Sequence, residues 1–397
     1  MIKHIREKYN NAFTKETYQR FLDELNYPYP GQIEFRVAEA PVFVDKKLGK
    51  QMIDICEYVI DLIKQEDFNS LTDNAIPESE KVPNQNAYPH FIVFDFGICK
   101  NNKGDFYPAL IEMQGFPSLF GYQAYYPSIL EKHFNIPKGF SRFFNDLDND
   151  SYLQLLRDVI VGEYKKEEVI LLDIKPETQK TRVDFSCTYD YLGIKSVCIS
   201  KLIKQGRDLF YLNDGNKIKI KRIYNRLIAD ELKIAENSLG NIVDLTGDMD
   251  VEWIPHPNWF YRISKYTLPL LKHRFIPETW YLSNIERIPT DLDQYVLKPL
   301  FSFAGQGVVV DIKEQDIAKI KDPENWILQK KVSYAECIQT PTGPSKVEIR
   351  LMYIWKEGDE RPTLTTNLAR LSKGKMIGVR YNADKDWVGG SVAYFEQ

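Results

Sequence analysis

At 397 residues, with 43% hydrophobic and 27% charged content, the chain is long enough for two or three domains with sizeable cores. Its net charge of −4 and the lack of any dense Lys/Arg stripe argue against nucleic acid as a partner. No apolar run reaches membrane-spanning length, the start has no apolar signal core, and five scattered cysteines never spaced C-x-x-C speak against a disulfide framework or zinc site, so the cytoplasm is the expected location.

In chain order, residues 14–26 and 46–65 read as amphipathic helices; in the second, Met52, Ile53, Cys56, Val59, Ile60 and Ile63 recur at helical spacing. Residues 67–88 read as an exposed loop rich in Asn, Glu, Ser and Pro. Residues 91–96 and 107–113 look like adjacent strands joined by Asn101-Asn102-Lys103-Gly104. A βαβ unit is expected next: strand 168–173, helix 181–192 and strand 195–199. Residues 213–216 turn into a strand over 218–224, whose 217–222 portion alternates lysine with isoleucine and reads as half-exposed. From about Trp253 onward helices and strands alternate. The fold class is therefore α/β with α+β elements.

Several constellations carry chemistry. Period-two geometry puts Glu112 and Gln114 on one face, where they can converge with Asp95 from the partner strand as three hard oxygen donors suited to Mg²⁺. A solvated strand face is the plain alternative; Glu112 stands where a buried strand meets a loop, which favours a site. Residues 295–310 read as a buried strand ending in Lys298, a loop with Gly305, Gln306 and Gly307, and a second apolar strand, a hairpin able to lay backbone N–H groups over phosphates. Lys265, among Trp259, Phe260 and Tyr261, is either part of that charge centre or a snorkelling side chain. Residues 326–332 are a strand breaking into polar residues, able to offer its backbone to an adenine edge or simply to end. Arg350 and Arg370, with Glu348, Asn367, Arg380 and Asn382, lie on C-terminal strands; an arginine pair facing the glycine hairpin can clamp a phosphoryl group, and exposed strand arginines are the alternative. His256, between two prolines, reads as a turn histidine. No Walker loop, G-x-G-x-x-G, H-E-x-x-H or G-x-S-x-G motif occurs, which disfavours P-loop, Rossmann, zinc-hydrolase and serine-hydrolase chemistry.

Taken in order, these pieces resemble the circularly permuted ATP-grasp ligases, most closely the synthetase domain of glutathionylspermidine synthetase. The likeness runs from about Phe35 to the end and rests on Asp95-Phe96, then Glu112-Met113-Gln114-Gly115-Phe116-Pro117-Ser118-Leu119 and Gln123, then residues 213–224, Ser264-Lys265, and Lys298-Pro299 with the glycine loop. The resemblance implies a permuted ATP-grasp core with a βαβ substrate domain, divided as 1–160, 161–245 and 246–397. It implies Mg²⁺ ligands at Asp95, Glu112 and Gln114 and ATP-phosphate contacts from Lys265, Lys298 and the Gly305–Gly307 backbone. It further implies an adenine hinge near Gln329, Lys330 and Val332. The implied activity joins a small-molecule or peptide carboxylate to an amine through an acyl phosphate; a non-ligating nucleotide- or peptide-binding scaffold and a small-molecule kinase are the alternatives. Two positions depart from the family pattern: Val93 stands where an arginine is expected, leaving Arg350 or Arg370 to replace it, and Gln114 stands for an asparagine. Oligomeric state has no signature in the sequence.

Overall fold

The computed structural model describes residues 1–228, 231, 232, 235, 239, 240, 242–301, 307–374, 377, 382 and 384–397. The two alternating stretches form a long antiparallel pair, Phe91–Lys100 and Phe106–Gln114. Asn101 closes their turn, its Oδ1 accepting from the N–H groups of Lys103 and Asp105 at 2.9 Å each. Three later strands extend this pair into a five-stranded antiparallel sheet, in the order Gly389–Ser391, Thr363–Ser372, Lys346–Ile354, Phe91–Lys100, Phe106–Gln114. Strand pleating divides its residues between two cores. Ile92, Phe94, Phe96, Ile98, Ile349 and Leu351 join the apolar stripe of helix Lys46–Ile63, which Asp45 caps by accepting from the Leu48 N–H at 2.9 Å. Phe91, Val93, Met352 and Leu368 face the other way, into a core shared with helix Asn149–Ile160.

The expected βαβ unit is present. Strands Val169–Asp173 and Lys195–Cys198 are parallel neighbours linked by helix Arg182–Leu192, within a four-stranded parallel sheet that Arg222–Asn225 and Glu252–Ile254 complete. A third sheet, Thr279–Tyr281, Trp326–Lys330, Tyr295–Pro299, is antiparallel and carries Lys298. Among the described residues no helix is long and apolar enough to cross a membrane.

Three expectations change. The strand read over 218–224 is two strands: Asn216–Ile220 pairs in a hairpin with Asp208–Asn213, whereas Arg222–Asn225 enters the parallel sheet. Arg222 is buried because its guanidinium is satisfied, donating to Glu252 at 2.8 and 2.6 Å and to the Val159 carbonyl at 3.1 Å; the Lys/Ile alternation concealed the change of sheet. Within 67–88, helix Phe68–Leu71 and two 3₁₀ turns bury Phe68, Thr72, Ala75 and Ile76, and Arg262 staples them through the Asn69 carbonyl and Asp73 Oδ1 (2.6 and 2.9 Å). The second arm of the Lys298 hairpin is a bridge in place of a strand: Leu297 and Val309 exchange backbone hydrogen bonds of 3.0 and 2.9 Å.

Candidate functional site

A β-bulge shapes the site. The register shifts between Asp95 and Phe96, so that Asp95 lies opposite Glu112 and Val93 opposite Gln114, while Phe96 pairs with Leu110. Glu112, Asp95 and Arg350 therefore form one cross-strand row, and Glu348 with Arg370 forms the next. The chain turns sharply after Gln114. Gly115 donates its N–H to the Ile263 carbonyl at 2.8 Å, and a Cβ at this position would lie 2.5 Å from the Trp259 carbonyl oxygen. Gly115→Ala should cost about 1–3 kcal/mol through overpacking, read as a lower urea midpoint; an unchanged midpoint would contradict this close approach. Downstream, Asp184 caps helix Phe120–His133 from a neighbouring helix, accepting from the N–H groups of Leu119 (3.0 Å) and Tyr122 (2.9 Å).

The later part of the chain delivers the cations. Lys265 Nζ lies 3.1 Å from Glu112 Oε1 and 3.4 Å from the Leu300 carbonyl. Lys298 Nζ donates to Gln329 Oε1 at 2.6 Å and reaches the Ile111 carbonyl, one residue before Glu112, at 3.4 Å. Gln329 in turn donates to Thr279 Oγ1 at 3.0 Å. Both lysines are buried. Burial, with a smaller push from Lys265, lowers the Lys298 ammonium to about 8 against the pull of Glu112. Burial alone would raise Glu112; Lys265 and Lys298 outweigh it and the nearby Asp95, leaving the carboxyl below its ordinary value.

On the neighbouring strands, Arg350 grips Asp95 with both prongs of its fork, Nε to Oδ1 at 2.7 Å and Nη2 to Oδ2 at 2.6 Å. Burial opposes ionisation of Asp95, but the Arg350 charge and hydrogen bonds, with Arg370 behind them, hold it below the ordinary range. Arg370 Nη2 donates to Glu348 Oε1 and stands 3.5 Å from Asp95 Oδ2. Among the described residues three carboxylates (Asp95, Glu112, Glu348) thus face four cations (Lys265, Lys298, Arg350, Arg370), a balance that favours an added anion.

Ion pairs, hydrogen bonds and register thus bring Asp95, Glu112, Lys265, Lys298, Gln329, Arg350 and Arg370 together, and Gln114 lines a small cleft with Glu112, Lys265, Phe260, Ser264 and Leu300. Lys330 stands apart, half-exposed and paired with Glu278 at 2.5 Å, and Val332 lies just past its strand. Gly307, at φ +73°, packs beside Pro299, whose Cγ would lie 3.0 Å from an added Cβ. Gly305, Gln306 and Arg380 lie outside the described residues. Asn367 is a structural tether, holding the Arg142 and Ala393 backbones, and His256 is buried against the Pro83 carbonyl at 3.0 Å. Val93, at the expected arginine position, is fully buried core. Sequence reasoning missed Tyr334, whose hydroxyl donates to Glu348 Oε2 at 2.8 Å; no motif surrounds it.

For a hard divalent cation the donors divide. Gln114 Oε1 is buried with no hydrogen-bond partner among the described residues, and Glu112 stands two positions before it on the same face. Such a pair suits Mg²⁺, which one or two protein oxygens hold with water and phosphate completing the shell. Asp95 has both oxygens committed to Arg350.

No family model matches the chain, and no curated protein matches its sequence. A solved structure is similar: the glutathione synthetase-like effector GSS30 from Globodera pallida, in apoform, with a TM-score of 0.57 over 97% of this chain and 98% of that one, at 11% identity. The chain has a glutathione synthetase-like fold. At that identity the likeness speaks for architecture alone, so chemistry has to come from the residues that this glutathione synthetase-like scaffold places in the cleft.

Proposed function

We propose that the chain is an ATP- and Mg²⁺-dependent carboxylate–amine ligase, ADP-forming, built on a circularly permuted ATP-grasp core. The observation that carries this reading is the meeting of Lys265 and Lys298 with Glu112 and Gln114 on a glutathione synthetase-like fold, although residues 112–114 and 298 lie far apart in sequence. The strands bearing the carboxylates precede the lysine strand in the chain, the order of the permuted enzymes.

Phosphoryl transfer asks mainly for positioning and charge neutralisation. Lys298 and Lys265 hold the nucleotide phosphates, Arg370 faces the transferring group, and Glu112 with Gln114 orients the metal. Held by Glu112 and Gln114, Mg²⁺ would supply positive charge that offsets the charge of the phosphates. The substrate carboxylate takes up the phosphoryl group, and an amine then displaces phosphate to form the amide. Phe260 and Phe301 line the cleft, and Phe116 and Tyr261 pack behind them, with ring centroids 5.1–5.7 Å apart along the series. ADP release in the presence of mixed carboxylates and polyamines tests the reading. Release that depends on both components supports it; none at all favours a nucleotide-binding scaffold without ligation, to which Val93 and the closed Asp95–Arg350 pair lend support. A phosphorylated product with no amide would identify a kinase.

Lys298 also predicts opposite pH trends. The neutral amine offers a triphosphate no charge, so ATP affinity should fall as pH rises through about 8. Between that value and the ordinary lysine value of 10.5 the unfolded chain holds more protons, so the ligand-free protein should gain stability over the same window. Calorimetric titration and urea unfolding from pH 7 to pH 10 read the two; parallel trends would contradict the burial of this ammonium.

A further inference from the structure

We propose that in this chain Asp95 is the orienting counter-ion of the Arg350–Arg370 pair, not a metal ligand, and that Glu348 and Tyr334 complete the frame that aims Arg370 at a phosphoryl oxygen. This deepens the nucleotide-binding reading above and rests on it.

Both Asp95 oxygens face the Arg350 fork, and the two side chains are 2% and 8% exposed. Turning Asp95 toward a metal would leave a buried guanidinium unpaired, an arrangement that folded proteins avoid. Arg370 is built differently. Its side chain is 37% exposed, one flank rests on Glu348 and Asp95, and its Nε is buried without a hydrogen-bond partner among the described residues. A guanidinium has five donors in a planar fork that matches phosphate, and among the described residues the Arg370 fork is not filled. Excess positive charge in the cluster favours the same occupant.

Tyr334 fixes the far side of the frame. It belongs to the segment leaving strand Trp326–Lys330, next to Ala335, whose N–H donates to the Ile98 carbonyl at 2.7 Å. Its ring lies over Gly97, where a Cβ would sit 2.9 Å from Tyr334 Cε1, so the absence of a side chain at 97 lets the hydroxyl reach Glu348. The Lys298 sheet and the central sheet are thereby tied to one arginine. The metal donors reduce to Glu112 and Gln114.

The test titrates two ligands against the wild type, D95N, Y334F and E112Q, following the melting point: Mg²⁺ at saturating ATP, then ATP at saturating Mg²⁺. D95N should weaken ATP by about tenfold or more, and Y334F by roughly three- to tenfold, with the Mg²⁺ midpoint of each staying near the wild-type value. E112Q should move the Mg²⁺ midpoint upward. A D95N midpoint displaced as in E112Q would overturn the inference, as would D95N and Y334F proteins that bind ATP like the wild type. Should D95N not fold, D95N/R350Q, which leaves no buried guanidinium unpaired, undergoes the same comparison. A wild-type protein indifferent to Mg²⁺ and ATP together would remove the ligase reading itself.

Discussion

Replacing Lys298 with methionine is expected to lower ATP-dependent ADP release by about 100-fold or more, while the folded state survives. The ammonium reaches the Ile111 carbonyl just before Glu112, and its partner Gln329 is held from behind by Thr279, so the charge is fixed before any ligand arrives. Preorganised charge of this kind acts on the transferring group without a reorganisation cost. The folding side of the balance is small. Methionine keeps the length of the apolar stem and removes a charge that burial already disfavours, against the loss of one hydrogen bond that leaves Gln329 Oε1 without a donor, about 1–3 kcal/mol. Steady-state ADP release alongside a urea midpoint separates the two effects. Turnover within a few-fold of the wild type would take Lys298 out of the site.

Arg350→Ala should be the most destabilising single change in the cluster, at about 3–5 kcal/mol, because it strands the Asp95 carboxylate inside the protein. Equilibrium urea unfolding measures it, and a loss below about 1 kcal/mol would mean that the pair is not closed in solution. The same pair sets an acid-side signature. A carboxyl held below its ordinary value of 3.8 contributes stability that is present above that pH and is lost as pH falls through the folded-state value. The wild type should therefore lose stability below pH 3.8 more steeply than Arg350→Ala, in which the cause of the depression is gone.

Periodicity made much of the architecture legible. The apolar stripe of helix Lys46–Ile63, the strand pair bearing Asp95 and Glu112, and the βαβ unit all appear within a few residues of where the pattern puts them, because each buries one face against a core that the pattern itself encodes. What escaped was set by distant partners. Arg222 enters a buried strand only because Glu252 and the Val159 carbonyl await it, and neither is near in sequence. The bulge beside Asp95 has no local marker, yet it decides which residues face Arg350. At the site, strand position and residue type marked the early carboxylates and the late lysines as separate groups, and their meeting was an expectation of the family resemblance. The binding of Asp95 by Arg350 was not legible, since it depends on antiparallel pairing between strands some 255 residues apart. Tyr334 was invisible for a related reason: its role is created by the missing side chain at Gly97.

A crystal structure with Mg²⁺ and a non-hydrolysable ATP analogue tests the shared cleft most directly. The phosphates should lie between Lys265 and Lys298 on one side and Glu112 and Gln114 on the other, with Arg370 facing the terminal group and Asp95 still paired to Arg350. A nucleotide bound elsewhere, or a cleft that stays empty at saturating analogue, would contradict that placement.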